Sequence, residues 1–149
     1  MRHRAAGFTF IELLVVLAII AIASATVSLA IRDPAATRLE HEAARLVALL
    51  ESARAEARAS GLVVQWRPNG ADAAAPGFRF IGLPGDQPTQ WLEPAVVAQV
   101  EGLPLLTLGP EPLIGAQRVV LQLGEQRLVI ATDGLGAFAV ADDATAPPR

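Results

Sequence analysis

The 149-residue sequence has no cysteine, no lysine and no tyrosine. Without cysteine, the chain has no disulfide scaffold, no thiolate ligand for zinc or an iron–sulfur cluster, and no thiol nucleophile. Without lysine, its 12 basic side chains are all arginines, and 15 acidic residues give a formal net charge of −3. A negative charge without a basic cluster argues against binding to nucleic acid, whose electrostatic signature is clustered Lys and Arg. We expect no nucleic-acid partner.

Side chains suited to catalysis or metal binding are also scarce. His3 lies before the first apolar segment, and His41 lies between two glutamates, where a solvated helical side chain is the usual role. Asp133, Asp142 and Asp143 could ligate calcium, but their spacing is not that of an EF-hand and fits turns better. The sequence therefore predicts no enzyme activity, no metal site and no cofactor.

Apolar residues are abundant: 52% of the chain is hydrophobic, and the mean hydropathy is +0.41. The excess lies in residues 8–31, where 19 of 24 residues are hydrophobic and Glu12 is the one charge. A helix of that length spans about 36 Å, enough to cross a hydrocarbon layer of about 30 Å. Arg2 and Arg4 precede it, so the positive-inside rule keeps the N-terminus cytoplasmic. The pattern predicts a single membrane helix over 8–31 and an external body.

Three kinds of N-terminal segment share this pattern. A plain signal anchor is the simplest, and a removable secretory signal could be cut at Ala23-Ser24-Ala25. Neither needs Glu12, because a charge at mid-bilayer costs on the order of 2.5–3.5 kcal/mol on insertion scales. In the third kind the carboxylate is functional and has a partner of opposite charge, which makes Glu12 a candidate site residue.

The stretch GFTFIELLVVLAIIAI, residues 7–22, resembles the class III signal of type IV pilins and type II secretion pseudopilins. The resemblance implies that a prepilin peptidase cleaves the leader, residues 1–7, after Gly7 and N-methylates the new terminus at Phe8. Glu12 is then the fifth mature residue, and its carboxylate pairs with a terminal amine in the same or a neighbouring subunit. Because the subunit at the extreme tip of such filaments typically lacks this glutamate, Glu12 implies that the chain docks beneath another subunit.

Beyond residue 31 the pattern predicts an amphipathic helix over 32–60, a β domain over 61–143 and a flexible tail over 144–149. In the helix, apolar residues recur at intervals of three and four, and Asp33-Pro34 or Thr37…Glu40 could form its start. The charge pairs of this helix are expected on its outer faces: Arg38 with Glu42, and Glu51 with Arg54.

After Gly61 the hydrophobic period changes from about 3.6 to 2, as in β-strands. Alternation places Leu62, Val64 and Trp66 on one buried face, whereas Trp91, beside proline-rich loops, is a possible recognition residue. The fold class is therefore α+β: a long N-terminal helix packed on a C-terminal antiparallel β-sheet or β-sandwich body, as in pilins. The predicted strands are 62–67, 78–81, 119–123, 128–131 and 137–141. Edge strands and loops are expected over the proline-rich region 84–112, whose apolar runs, such as 95–100 and 103–108, are short.

Within this superfamily the chain looks most like the H-type minor pseudopilin (GspH/FimT-like). The similar stretches are residues 40–67, GFRF at 77–80, QWLEP at 90–94 and a closing strand–Asp-Gly–strand over 128–140. The resemblance implies a structural subunit near the tip of the periplasmic pseudopilus of a type II secretion system, which exports proteins across the outer membrane. Its implied location is the bacterial inner membrane, with a single pass, a cytoplasmic N-terminus and a periplasmic C-terminal domain.

The implied partners are other minor pseudopilins, the major pseudopilin, the prepilin peptidase, inner-membrane lipid, and secreted cargo or the outer-membrane secretin. Two alternative functions stay open. One is a minor type IV pilin (FimT-like) of a pilus or DNA-uptake machine. The other is a secreted periplasmic β-sandwich binding module behind an ordinary signal peptide.

Overall fold

The computed structural model describes residues 9–30, 33–69 and 77–141, and within the first range it describes side chains as far as residue 23. Gly7, Phe8 and the tail 144–149 lie outside the described residues. The chain divides into two compact units, Met1–Asp33 and Pro34–Arg149.

The first unit contains helix α1, Phe10–Ala30. Its described side chains are exposed and almost all apolar around the whole circumference of the helix. A helix that is apolar on all of its faces is stable where apolar groups surround it. Over the described residues, no helix combines the length and the hydropathy needed to cross a membrane. The membrane helix over 8–31 stays a prediction.

The second unit begins with helix α2, Pro34–Ser60. Pro34 is its first residue because a proline at this position has no amide to satisfy and a backbone already suited to a helix. The prediction that Thr37 caps the start of this helix is therefore wrong, since Thr37 lies in the first turn. The helix ends before Gly61, whose φ of 68° suits the left-handed residue that terminates helices. The apolar side chains on its buried face are Leu39, Ala43, Leu46, Leu50, Ala53 and Ala57.

The described residues form seven strands in two antiparallel sheets. The bounds are β1 Val64–Pro68, β2 Phe78–Ile81, β3 Val97–Val100, β4 Leu106–Gly109, β5 Gln117–Leu123, β6 Gln126–Thr132 and β7 Ala139–Ala141. One sheet has the order β2-β1-β4 and the other the order β3-β5-β6-β7. Strands β5 and β6 form the predicted hairpin, and their two-residue turn begins with Gly124 at a φ of 59°.

The core lies between α2 and the two sheets. The helix contacts β1 and β4 of the first sheet and β5, β6 and β7 of the second. Phe78 packs against Trp66 and Trp91, with ring centroids 5.8 and 4.6 Å apart respectively. Trp91 is 6% exposed, so its interpretation as a recognition residue is wrong. Leu62 was expected in the core but is exposed, because β1 begins two residues later.

The predicted α+β fold class is thus confirmed: helix α2 is followed by antiparallel sheets and packs on both of them. Hydrophobic period predicted the helix and the strands, because a buried helix face and a buried sheet face impose different spacings on the sequence, and the resemblance implied that the helix packs on the sheet.

Helix α2 and strand β4 approach closely at Gly109. A Cβ at this position would lie 2.8 Å from the Cβ of Ala57. Small residues on both elements allow this contact, and any larger pair would push the helix away from the sheet.

We expect Gly109→Ala to lower the free energy of unfolding of the full chain by about 1–3 kcal/mol, because overpacking strains the core. Denaturant unfolding in detergent measures this. Adding Ala57→Gly should recover part of the loss, even though glycine costs a helix interior about 1 kcal/mol. Fully additive losses in the double variant would show that the two residues do not clash.

Candidate assembly site

Glu12 lies in the first turn of α1 and forms a reciprocal pair of hydrogen bonds with Thr9. The Glu12 amide donates to Thr9 Oγ1 at 3.3 Å, and the Thr9 amide donates to Glu12 Oε2 at 3.4 Å. The backbone amides of Glu12 and Leu13 also donate to the Thr9 carbonyl, at 3.1 and 3.3 Å. This arrangement is a capping box, in which the side chain of each residue accepts a hydrogen bond from the backbone amide of the other.

The capping box directs the Glu12 carboxylate back toward the start of the chain. A carboxylate is favourable there because the N-terminal end of a helix carries a partial positive charge. Phe8 is the residue directly before Thr9 in the sequence. The capping role of Glu12 was not predicted, although Thr-x-x-Glu before an apolar run is its recognisable sequence signal.

The other candidate residues belong to the second unit or lie outside the described residues. His41 is exposed on α2, and Asp133 lies in the loop between β6 and β7. Asp142 and Asp143 lie outside the described residues. Among the described residues, no group of three or more His, Asp or Glu side chains could hold a metal ion.

A buried arginine, Arg54, organises the loop between β6 and β7. Its guanidinium donates to the carbonyls of Gly136 and Gly134 at 2.6 and 2.8 Å. One turn earlier on α2, Glu51 Oε1 accepts the amide of Phe138 at 2.9 Å. Arg54 is 1% exposed, so the expectation that it lies on an outer face is wrong. It is buried because its hydrogen bonds to backbone carbonyls replace those that water would supply.

The same loop is stabilised from within by Asp133 and Thr132. Asp133 Oδ1 accepts the amides of Gly136 and Leu135 at 2.7 and 2.9 Å. These two hydrogen bonds hold the pKa of the Asp133 carboxyl below its ordinary value, and the one from the Gly136 amide has the larger effect. Thr132 Oγ1 donates to the Gly136 carbonyl at 2.8 Å and accepts the Gly134 amide at 3.0 Å. Asp133 thus acts in a turn, as its sequence context predicted.

A second buried charge, Glu42, ties α2 to the segment before β3. Its Oε1 accepts the amide of Glu93 at 2.8 Å, and Arg45 lies 3.5 Å from its Oε2. Arg38 pairs with Glu93 at 2.9 Å. Glu42 is 1% exposed, so its expected place on an outer face is wrong. Helical spacing brings Arg38 and Glu42 near each other, but the tertiary fold supplies each with a different partner.

The N-terminal region matches a known sequence motif, and the fold matches a known structure. The prokaryotic N-terminal methylation motif matches residues 2–28. The chain is similar in structure to the type IV minor pilin FimU of Pseudomonas aeruginosa strain PAO1, at 15% identity, with a TM-score of 0.55 over 74% of this chain and 93% of that chain. No curated protein matches the sequence. The resemblance to the pilin superfamily is thereby confirmed, as an N-terminal methylation motif on a chain with the fold of a type IV minor pilin.

We expect Thr9→Val to weaken the start of α1, because valine keeps the shape of threonine but removes the capping hydroxyl. Loss of such a cap costs about 1 kcal/mol, which corresponds to amide exchange at Glu12 about fivefold faster. Hydrogen exchange of the full chain in detergent measures this. Thr9→Ser should retain the slow exchange, and Thr37→Val, within the first turn of α2, should leave Glu12 unaffected. Equal protection in all variants would refute the cap.

We expect the stability of the second unit to depend on Asp133 in acid. Because folding lowers the pKa of Asp133 from its ordinary value of 3.8, the stabilisation is complete above that value. It is lost as the pH falls further, through the folded pKa, because the unfolded chain takes up the proton first. Asp133→Asn should therefore flatten the acid limb of a pH series of unfolding midpoints, and Asp86→Asn, on an exposed loop, should not. An unchanged limb in Asp133→Asn would contradict this role.

Proposed function

We propose that the chain is a non-catalytic minor subunit of a type IV pilin-like filament, held in the bacterial inner membrane by α1. The observation that supports this most strongly is the presence, on one chain, of the methylation motif over residues 2–28 and the fold of a minor pilin. Neither feature alone is sufficient to support this function, because the motif describes only a processed N-terminus and the fold describes only a scaffold.

In this role α1 is both anchor and assembly element. Its apolar side chains pack against lipid before assembly and against the corresponding helices of partner subunits in the filament. Small shifts between smooth apolar helices cost little, so an apolar surface by itself does not define how far one subunit is displaced along the next. The charge of Glu12 defines this displacement, because a carboxylate among apolar helices is stable only beside a positive charge.

The capping box gives Glu12 a partner before that charge is available. In the unassembled chain, the Thr9 amide donates one hydrogen bond to the Glu12 carboxylate and satisfies part of its hydrogen-bonding capacity. On assembly, the methylated amine of Phe8, of the same chain or of a neighbour, neutralises it. The prepilin peptidase is therefore a partner of the precursor, and other minor and major subunits are partners of the mature chain.

The specific machine we propose is a type II secretion system, in which the chain lies near the tip of the periplasmic pseudopilus. The H-type stretches over 40–67, 77–80, 90–94 and 128–140 support this assignment. The second candidate is a minor pilin of a type IV pilus, which the similarity to FimU favours. The net charge of −3 falls further once the leader with Arg2 and Arg4 is removed, which opposes a role in DNA binding.

We expect mass spectrometry of the chain purified from its own bacterium to show an N-terminus at Phe8 carrying one methyl group. Cleavage after Gly7 with methylation is the chemistry of the prepilin peptidase, and a signal peptidase does not perform it. A mature chain that begins at Thr26 would instead identify a secreted β-domain and refute the proposal.

We expect Glu12→Ala to be processed normally but incorporated poorly into filaments, since processing depends on the leader and assembly on the charge pair. Immunoblots of sheared surface or periplasmic filaments against total chain measure the ratio. Glu125→Ala, which removes an exposed carboxylate from the β5–β6 turn, is the matched control. Normal incorporation of Glu12→Ala would refute charge pairing.

We expect deletion of the gene to abolish export of proteins across the outer membrane while surface pili and twitching remain. The opposite result, lost pili with intact export, would assign the chain to a type IV pilus and overturn the choice of machine. The methylated Phe8 is common to both machines, so this experiment separates them where the N-terminus does not.

A further inference from the structure

Strand β3 is the outer strand of the four-stranded sheet and pairs with β5 on one side only. Directly after the strand, the Glu101 amide donates to the Arg118 carbonyl at 3.0 Å, which continues the ladder between the two strands. Hydrogen-bonded pairs alternate along an antiparallel ladder, so Gln99 also bonds β5, whereas the backbone groups of Ala98 and Val100 point away from it. The outer edge of β3 therefore presents two amides and two carbonyls, two residues apart.

Outward backbone groups on other strands of the two sheets are bonded within the chain. On β4, Gln117 Oε1 accepts the Thr107 amide at 2.7 Å, and Gln117 Nε2 donates to the Thr107 carbonyl at 2.8 Å. On β2, the Phe78 amide donates to the Thr89 carbonyl at 2.8 Å. Such bonds keep a sheet edge from pairing with another chain. In the described part of the chain, no comparable bond reaches the outward groups of Ala98 or Val100.

A groove of about 490 Å³ follows the whole length of β3. None of its lining residues belongs to β5, so the groove lies on the side of β3 where the backbone groups are unpaired. The residues that line it are Val97, Ala98, Gln99, Val100, Pro68, Leu103 and Pro104. Pro68 and Pro104 have no amide and cannot bond the β3 carbonyls. The lining also carries no charged side chain, so a ligand meets only uncharged groups.

The spacing of the unpaired groups specifies the chemistry of that ligand. Donors and acceptors on alternate residues are what a neighbouring β-strand pairs with, at a distance of about 4.8 Å between strands. A small polar molecule could bond Ala98 or Val100, whereas an extended peptide bonds both at once. Uncharged walls favour uncharged side chains, because a charge placed there would lose water without gaining a partner. The complementary ligand is an extended, uncharged peptide that adds to the sheet as a strand.

The C-terminal segment of the same chain is a poor occupant of the groove. Residues 142–149 follow β7, which is the opposite edge strand of the sheet, with β5 and β6 between it and β3. The segment begins with Asp142 and Asp143, whose charges do not match the lining. It also contains Pro147 and Pro148, which have no amide to donate to a neighbouring strand. The occupant therefore comes from another protein.

We propose that the outer edge of β3 binds an extended, uncharged segment of a partner protein, which adds to the four-stranded sheet as a fifth strand. Ala98 and Val100 supply the backbone donors and acceptors, and alternate side chains of the segment pack along Pro68 and Leu103. This inference goes beyond the proposed function and does not depend on it, because every contact that supports it lies within the second unit.

The test uses the full-length chain in detergent and a capped seven-residue peptide of alternating valine and threonine. N-methyl groups on every second amide leave this peptide one pairing edge, which prevents it from forming sheets with itself. Backbone pairing depends little on side chains, so a generic sequence is a suitable probe. Hydrogen exchange followed by NMR should show the Ala98 and Val100 amides protected at least about tenfold on binding, as newly bonded amides are. The same peptide methylated on every amide should give no protection.

Ala98→Pro removes one outward amide but none of the bonds between β3 and β5, since an edge strand tolerates proline where its amide faces outward. The peptide should bind this variant about fivefold more weakly, the effect of one net hydrogen bond. Val140→Pro, at the opposite edge of the same sheet, is the matched control and should bind the peptide unchanged. Where Ala98→Pro lowers the unfolding midpoint, the comparison of the two peptides decides the outcome.

Four results would overturn the proposal. The first three are no protection of Ala98 and Val100, equal protection by the fully methylated peptide, and an equal loss of affinity in Val140→Pro. The fourth is protection without peptide that increases with the concentration of the chain, which would identify a second copy of this chain as the occupant. None of these results concerns the methyl group at Phe8, so failure here leaves the proposed function intact.

Discussion

The globular unit depends on the burial of one face of α2. Six small and medium apolar side chains on this face close the space between two sheets, and Gly109 lets strand β4 approach Ala57 closely. The same face carries Glu42 and Arg54 into the interior, where each must find hydrogen bonds to remain stable. Glu42 finds the amide of Glu93, and Arg54 finds two carbonyls of the β6–β7 loop. The helix thereby specifies the loops as well as the core.

Helix α1 poses a different physical problem, since its described side chains are almost all apolar and are exposed on every face of the helix. Such a helix is stable only in lipid or among similar helices, and both environments make an ionised carboxylate costly. The capping box with Thr9 reduces that cost locally, and the terminal amine in the proposed filament removes most of what remains. In the proposed filament, one residue, Glu12, thus links the folding of a helix start to the assembly of subunits.

The elements that sequence alone predicted well are those with a strong period. The buried stripe of α2, the β5–β6 hairpin and the alternation of β1 all follow from residue spacing. Predictions that depended on the partner of a single side chain succeeded less often. Arg54 and Glu42 have the spacing of solvated helical pairs, and Trp91 lies beside prolines, yet all three are buried. Spacing along a helix shows which residues are neighbours on it, but not which loop will cover them.

By itself the sequence determined the motif of residues 7–22, the α+β class and the candidacy of Glu12, because each depends on local order along the chain. Only the tertiary structure decided that Glu12 is in a capping box. It also decided that Arg54 is buried and bonds the β6–β7 loop instead of lying on the surface, and that the loops carrying Leu113 and Leu135 touch. These contacts join residues as far as 82 positions apart. Burial of a charge is favourable only when such distant partners are already in place, and no local pattern records them.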